Sequence, residues 1–157
     1  MIRCTVRTAL GLLLVWCLGT LSVGCGGTYL DGVKIVPVSG TVLVQDQPLT
    51  GVPQGSVAFH PDAAQGNQSM HLPTGRLNAD GTYELITGSK KGAPLGKYKI
   101  VVSALENKLE EGPTMPRHIL DDKYYAREQT DLTIEVIEDP PPGYYNLKVT
   151  KKATRRK

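Results

Sequence analysis

The side chains of this chain best suited to bind a metal or attack a substrate are His60, His71 and His118 and the cysteines Cys4, Cys17 and Cys25. Imidazole and thiolate favour zinc or copper, but only when the ligands converge at motif-like spacings. The histidines fall at a strand end and in two loops without such spacing, so no metal and no cofactor is expected. Ser56, His118 and Asp121 supply the residue types of a hydrolytic triad. No serine here sits in a Gly-x-Ser-x-Gly elbow, the sharp turn that exposes such a nucleophile. Asn78-Ala79-Asp80-Gly81 has calcium-type oxygen donors, but its glycine comes too early for an EF-hand loop and the closing glutamate is missing. A hairpin turn explains those four residues better, since Asp-Gly tolerates the positive φ that tight turns demand. Asn67-Gln68-Ser69 matches a glycosylation tripeptide. No catalytic residue is expected, and the chain reads as a non-enzyme.

Cys25 differs from the other cysteines in what precedes it. Arg3 and Arg7 form a short basic region, Ala9 to Leu18 an apolar one with Leu12, Leu13, Leu14, Val15 and Trp16, and small residues follow at Gly19, Thr20, Ser22 and Gly24. Leu21-Ser22-Val23-Gly24-Cys25 resembles a bacterial lipobox, with Ser22 where the pattern usually carries an aliphatic residue. A membrane-spanning helix needs about 20 mainly apolar residues. The stretch from Thr8 to Gly24 is shorter and diluted by Gly11, Gly19, Thr20 and Ser22, so residues 1–24 read as a cleaved signal peptide. The resemblance implies lipid on the Cys25 thiol and amine. The membrane would then be a partner, and the location extracytoplasmic, in the periplasm or on the surface of a bacterial envelope. One acyl chain holds a protein only marginally, at about 0.8 kcal/mol per buried methylene, whereas several chains anchor it stably.

Residues 25–157 are enough for one domain with a modest core. Cys25 is their only cysteine, so no internal disulfide can form and the fold must rely on apolar burial. Residues 25–150 hold 11 Lys and Arg against 15 Asp and Glu, while Lys151, Lys152, Arg155, Arg156 and Lys157 crowd the last seven positions. The body is mildly acidic and residues 151–157 form a basic tail. Anionic lipid, surface polysaccharide or an acidic protein could receive such a tail, and the plainest expectation is a frayed, solvated end. Nucleic acid is not an expected partner, because no aromatic stacking platform accompanies the charges.

The elements between tether and tail carry strand patterning. Residues 25–35 read as a tether and 36–150 as the domain. Val36, Val38, Gly40, Val42 and Val44 alternate with other residues, and Gln45-Asp46-Gln47-Pro48 is a turn. Val57 and Phe59 share one face of a strand that ends at Pro61; Asp62 to Met70 reads as an exposed loop. Arg76-Leu77-Asn78 and Thr82 to Ile86 flank Asp80-Gly81. Tyr98, Ile100 and Val102 alternate, as do Leu132, Ile134 and Val136, and Tyr145, Leu147 and Val149 form a last strand. A long connection from Ala104 to Gln129 has one helical turn near Ile119-Leu120. Seven short strands separated by turn residues predict an all-β, antiparallel sandwich.

Several of these segments recur in one order. Val38-Ser39-Gly40-Thr41-Val42, Gln47-Pro48-Leu49 with Gly51-Val52, and Val57-Ala58-Phe59-His60-Pro61 come first. Asn78 to Leu85, Lys91-Gly92-Ala93-Pro94 and Gly96 to Val102 follow, then Lys123-Tyr124-Tyr125 and Thr130 to Val136. The chain resembles the small lipoproteins of planctomycete-type bacteria that carry a carboxypeptidase-regulatory-like, transthyretin-like domain, over about Val36 to Val149. That resemblance implies a seven-stranded Greek-key β-sandwich acting as a structural or protein-interaction module, or as a binder of carbohydrate or another envelope polymer. It carries no catalytic residues. Fold alone does not establish function.

The candidate binding surface is aromatic. Tyr124-Tyr125 and Tyr144-Tyr145 are adjacent pairs, and neighbours in a strand point to opposite faces. Tyr145 is expected in the core, leaving Tyr124, Tyr125 and Tyr144 to stack on sugars or to anchor a protein.

Overall fold

A computed structural model describes residue 30, residues 32–106 and residues 117–153; residues 1–24, read as a signal peptide, and Cys25 lie outside these. The chain divides into two compact units, Met1–Asp31 and Gly32–Lys157, and the fold below belongs to the second.

Among the described residues the regular structure is β, apart from two 3-10 turns at Ala63–Gln65 and Asp122–Tyr125. The expected all-β class is the one the chain adopts. The strands are β1 (Ile35–Val36), β2 (Ser39–Val44), β3 (Gln47–Pro48), β4 (Gln54–Pro61), β5 (Thr74–Arg76) and β6 (Thr82–Glu84). They continue with β7 (Ile86–Thr87), β8 (Lys90–Lys91), β9 (Ala93–Pro94), β10 (Gly96–Leu105), β11 (Thr133–Val136) and β12 (Leu147–Val149). One sheet has the order β11-β10-β4-β5-β7-β8; a second has β12-β2-β3, with β6 also on β2; β1 pairs with β9.

The strands are more numerous and shorter than the alternation suggests, because proline and glycine cut the runs. Pro37 has no N–H to donate, so the run from Ile35 to Val44 splits there: Val36 pairs with Ala93, while Ser39 pairs with Glu84. The first strand also opens at Ile35, inside the stretch read as tether. Pro48 lies in a two-residue strand at the edge of its sheet, where a missing donor costs nothing. The Gln45-Asp46 turn before it has φ of 51° and 61°, both in the left-handed region that two-residue hairpins use. At Asn78–Thr82 the hairpin closes through Asn78 N to Thr82 O at 2.8 Å, and Gly81 takes φ 84°. A type I turn followed by such a glycine is the three-residue hairpin of that spacing. Its second arm then splits: β6 pairs with β2, and Ile86 in β7 returns to Thr74 in β5.

One pairing departs from the antiparallel expectation. β12 lies parallel to β2, with Leu147 opposite Val42 and Val149 opposite Val44. The stiff stretch from Asp139 to Tyr144 carries the chain from β11 in one sheet to β12 in the other, so the two strands do not form a hairpin.

Both sheets send side chains into one cluster, which includes Val42, Val57, Phe59, Tyr83, Leu85, Tyr98, Ile100, Val102 and Leu147. Phe59 lies 5.8 Å from Tyr98 and 6.3 Å from Tyr83 between ring centroids, with both pairs tilted. Such pairs add about 0.5–1.5 kcal/mol beyond area burial. The buried phenols keep partners: Tyr83 Oη donates to Tyr145 O at 2.6 Å and Tyr98 Oη to Pro94 O at 2.8 Å. Gly40 has to be glycine, since a Cβ there would collide with the Tyr145 carbonyl.

Candidate functional site

The three candidate tyrosines do not form one surface. Tyr124 and Tyr125 lie in the 3-10 turn Asp122–Tyr125 and Tyr144 in a turn before β12, so the opposite-faces rule for strands does not govern them. Asp121 caps the 3-10 turn, its carboxylate accepting from Lys123 N at 3.2 Å. Helical structure thus comes slightly later than Ile119-Leu120. Tyr124 is a core residue, 3 % exposed, which corrects its assignment to a binding surface. Its ring carries the Lys123 ammonium 4.9 Å from the centroid. Tyr125 is half-buried and packs on His118 at 3.7 Å between centroids. Its hydroxyl donates to Leu120 O and accepts from Leu120 N, both at 2.9 Å. Burial pushes its pKa up to about 12. Tyr125 is therefore committed to holding the chain at Leu120, while the Tyr124 hydroxyl lies 3.4 Å from Thr150 Oγ1. Tyr144 is the exposed one, at 36 %.

Tyr144 borders a groove of about 750 Å³ between β11 and β12. Leu132, Ile134 and Leu147 give it an apolar floor; Gln65, Asn146, Asp62, Glu135, Lys97 and Lys148 surround that floor. The alternation that predicts Leu132 and Ile134 as inward is correct in phase, but both stay half-buried because β11 is an edge strand. Tyr144 meets Tyr145 edge-on, with centroids 5.1 Å apart, which restricts its ring. Tyr145 is fixed in turn: its hydroxyl accepts from Ile137 N and donates to Ile137 O, both at 3.2 Å. Burial raises the Tyr145 pKa, partly offset by the bond from Ile137 N. Asn146 accepts from Thr41 N at 3.0 Å, so its amide nitrogen is the end left for a ligand.

The outer edge of β11, unpaired among the described residues, adds main-chain donors and acceptors. Ile100 N donates to Leu132 O at 2.9 Å, and Tyr98 and Lys99 face Ile134 and Thr133. In an antiparallel ladder the bonded pairs alternate, so Thr133 and Glu135 direct N–H and C=O away from β10. A second depression, about 810 Å³, crosses Ser56, Thr74, Arg76 and Ile86 and has no aromatic residue.

Other sequence candidates find structural roles. Asn67 is 9 % exposed, and its amide donates to Lys97 O at 2.9 Å, so the glycosylation tripeptide lies against β10 and not in an open loop. Asp80 accepts from Thr82 N at 2.9 Å and from Thr82 Oγ1 at 2.7 Å, and these bonds lower its pKa. Ser56 and His118 lie on opposite sides of β10, since Leu105 pairs with Gln54 on one edge and with His118 on the other. His60 has its pKa lowered by burial and then by Arg127, and it pairs across to Lys99. Among the described residues no three His, Cys, Asp or Glu side chains gather as a metal site, and no helix is long and apolar enough to cross a membrane. Lys151 and Lys152 are not frayed: Lys151 bridges to Leu120, Lys152 N donates to Ile119 O at 2.9 Å, and Lys152 Nζ reaches Asp122 at 2.7 Å.

Comparison with protein-family models, with curated proteins and with solved structures gives no match.

Proposed function

We propose that this chain is a lipid-anchored, non-enzymatic protein of the bacterial cell envelope that works as a protein-interaction module. Its domain is read as a Greek-key sandwich of the transthyretin-like kind, a reading supported by two sheets that share one core. The anchor reading rests on Leu21 to Cys25. The observation that carries the interaction reading is the β11–β12 groove, where a strand edge unpaired among the described residues borders an apolar floor. An extended segment of a partner can add to such an edge, with main-chain bonds giving affinity and the floor selecting side chains. Cross-linked envelopes test it: capture of the native protein yields a partner that is lost when Thr133→Pro removes an outward N–H and blocks the edge. Retention of the same partner by that variant refutes the groove as the contact. Radiolabelled palmitate tests the anchor, and equal labelling of Cys25→Ala and the parent refutes it.

A second reading is favoured by Tyr144. A ring held edge-on by Tyr145 beside Gln65, Asn146 and Glu135 offers a stacking face with amide and carboxylate partners, the set that suits sugar rings. Binding of the parent on a glycan array, weakened about tenfold or more by Tyr144→Ala, supports carbohydrate recognition. An empty array for the parent refutes it.

A further inference from the structure

We propose that Lys99, His60 and Arg127 form a binding site for the phosphate group of a ligand, on the solvent-facing side of the six-stranded sheet. The site shares none of these residues with the β11–β12 groove and does not depend on the anchor.

Strand pairing sets two of the three donors side by side. Lys99 in β10 lies opposite His60 in β4, and neighbouring strands are about 5 Å apart. The adjoining residues, Ile100 and Phe59, are buried in the core, so Lys99 and His60 point the other way, toward solvent. The third donor arrives from outside the sheet. Gln129 N and Thr130 N both donate to Ala126 O, at 3.1 and 3.0 Å, and close a turn that precedes β11. From that turn Arg127 Nη2 donates to Pro61 O at 3.0 Å, next to His60. β10 separates β4 from β11, and the core fills the inner face, so the turn reaches β4 over the solvent face. Lys99 and His60 are half-buried there.

The charge at this place runs against the rest of the domain. β4, β5 and β10 contain no acidic residue, although residues 25–150 carry more acid than base. Lys34, Lys91, Lys123, Lys148 and Lys152 all have carboxylate partners, whereas Lys99 and Arg127 have none among the described residues. Burial, then Arg127, hold the His60 pKa below its ordinary value, and Glu128 opposes them. At pH 7 the imidazole is therefore neutral and donates one N–H. Farther along the same face Lys97 lies opposite Glu135, so those two charges offset each other. Two cations without ion pairs thus flank His60, against the single carboxylate of Glu128.

The arrangement of donors selects the anion. Lys99 and His60 donate from the sheet and Arg127 from the turn, one donor for each of three oxygens of a tetrahedral group. A carboxylate favours the paired N–H fork of arginine, and here the Pro61 carbonyl already holds Nη2. Separate donors approaching from two sides suit a phosphate better than a planar carboxylate with two oxygens.

NMR of the full chain in neutral detergent micelles, with isotope-labelled histidine, tests the site. His71 and His118 serve as references in the same spectrum, and His60→Gln assigns the third signal. A bound phosphate favours the imidazolium, so methyl phosphate is expected to raise the His60 midpoint by about half a unit or more. By linkage the protonated site then binds about threefold more tightly, and affinity rises as pH falls through that midpoint. Acetate or sodium chloride at matched ionic strength should move the midpoint less than about half as far. At fixed pH, Lys99→Gln and Arg127→Gln should each weaken methyl phosphate at least about fivefold, with the His71 and His118 signals kept at the parent's positions. Lys90→Gln, in β8, should bind as the parent does. An unmoved His60 midpoint, an equal shift in sodium chloride, or parent-like binding by both site variants overturns the site. An equal shift in acetate overturns the choice of phosphate.

Discussion

Replacing Tyr83 by phenylalanine removes one oxygen from the centre of the domain and tests whether the two halves of the chain are tied there. Tyr83 is 2 % exposed, and its hydroxyl donates to the Tyr145 carbonyl, 62 residues away, at 2.6 Å. Phenylalanine keeps the ring and its contact with Phe59 but leaves that carbonyl without the donor. Orphaning a buried acceptor costs about 1–3 kcal/mol, against about 1 kcal/mol for an average hydrogen bond. Urea unfolding of residues 25–157 at pH 7 is the assay, read by circular dichroism and tyrosine fluorescence because the one tryptophan, Trp16, precedes these residues. The exposed Tyr144→Phe serves as control, with a change within about 0.5 kcal/mol. A pH arm sharpens the test. Burial raises the Tyr83 pKa well above its usual 10.0, so the folded state holds the proton that the unfolded chain gives up. Stability from this group is complete below about pH 10 and falls as pH rises, by about 1.4 kcal/mol per unit. The variant lacks this loss, so its deficit at pH 7 should shrink between about pH 10 and 12. A deficit under about 0.5 kcal/mol at pH 7, or parallel alkaline losses in parent and variant, would refute the buried bond.

Further substitutions probe other joints of the fold. Gly40→Ala drives a Cβ into the Tyr145 carbonyl, and a loss of about 1–3 kcal/mol in urea unfolding is expected. Gln45→Asn with Asp46→Gly suits the two positive φ values of that turn and should raise the urea midpoint by about 0.5–1 kcal/mol in stability; a drop would refute the turn type. Asn67→Ala removes the donor to Lys97 O, and a loss of about 1–2 kcal/mol is expected, with faster amide exchange in residues 62–67 as the local readout. Tyr124→Ala should cost about 3–5 kcal/mol by thermal unfolding, whereas Tyr144→Ala should cost less than about 0.5 kcal/mol and act on binding instead.

Much of this fold is readable locally, and the misreadings share one cause. Alternation places Val57, Phe59, Tyr98, Ile100 and Val102 inward because a period of two is a property of the strand itself. Asp80-Gly81 marks a hairpin because the required φ is a property of the turn residues. Tyr124 reads as surface in the sequence because its burial depends on where Asp121 caps a 3-10 turn and on Thr150 arriving 3.4 Å from its hydroxyl, 26 residues on. Asn67 sits in a stretch whose composition reads as solvent, yet Lys97 takes its amide from another element. The groove was invisible for the same reason, since Gln65, Leu132 and Asn146 are distant in sequence and meet only across β11 and β12.

The sequence by itself determined the all-β class, the phase of its buried faces, its main turns and that Cys25 is the only cysteine of residues 25–157. These follow from short-range rules of period, turn geometry and composition. Tertiary structure alone decided that β12 runs parallel to β2 and that Tyr144 and not Tyr124 faces a groove. Those outcomes depend on which strand edges meet across the core, a choice made by packing between residues far apart in the chain and written in no single segment.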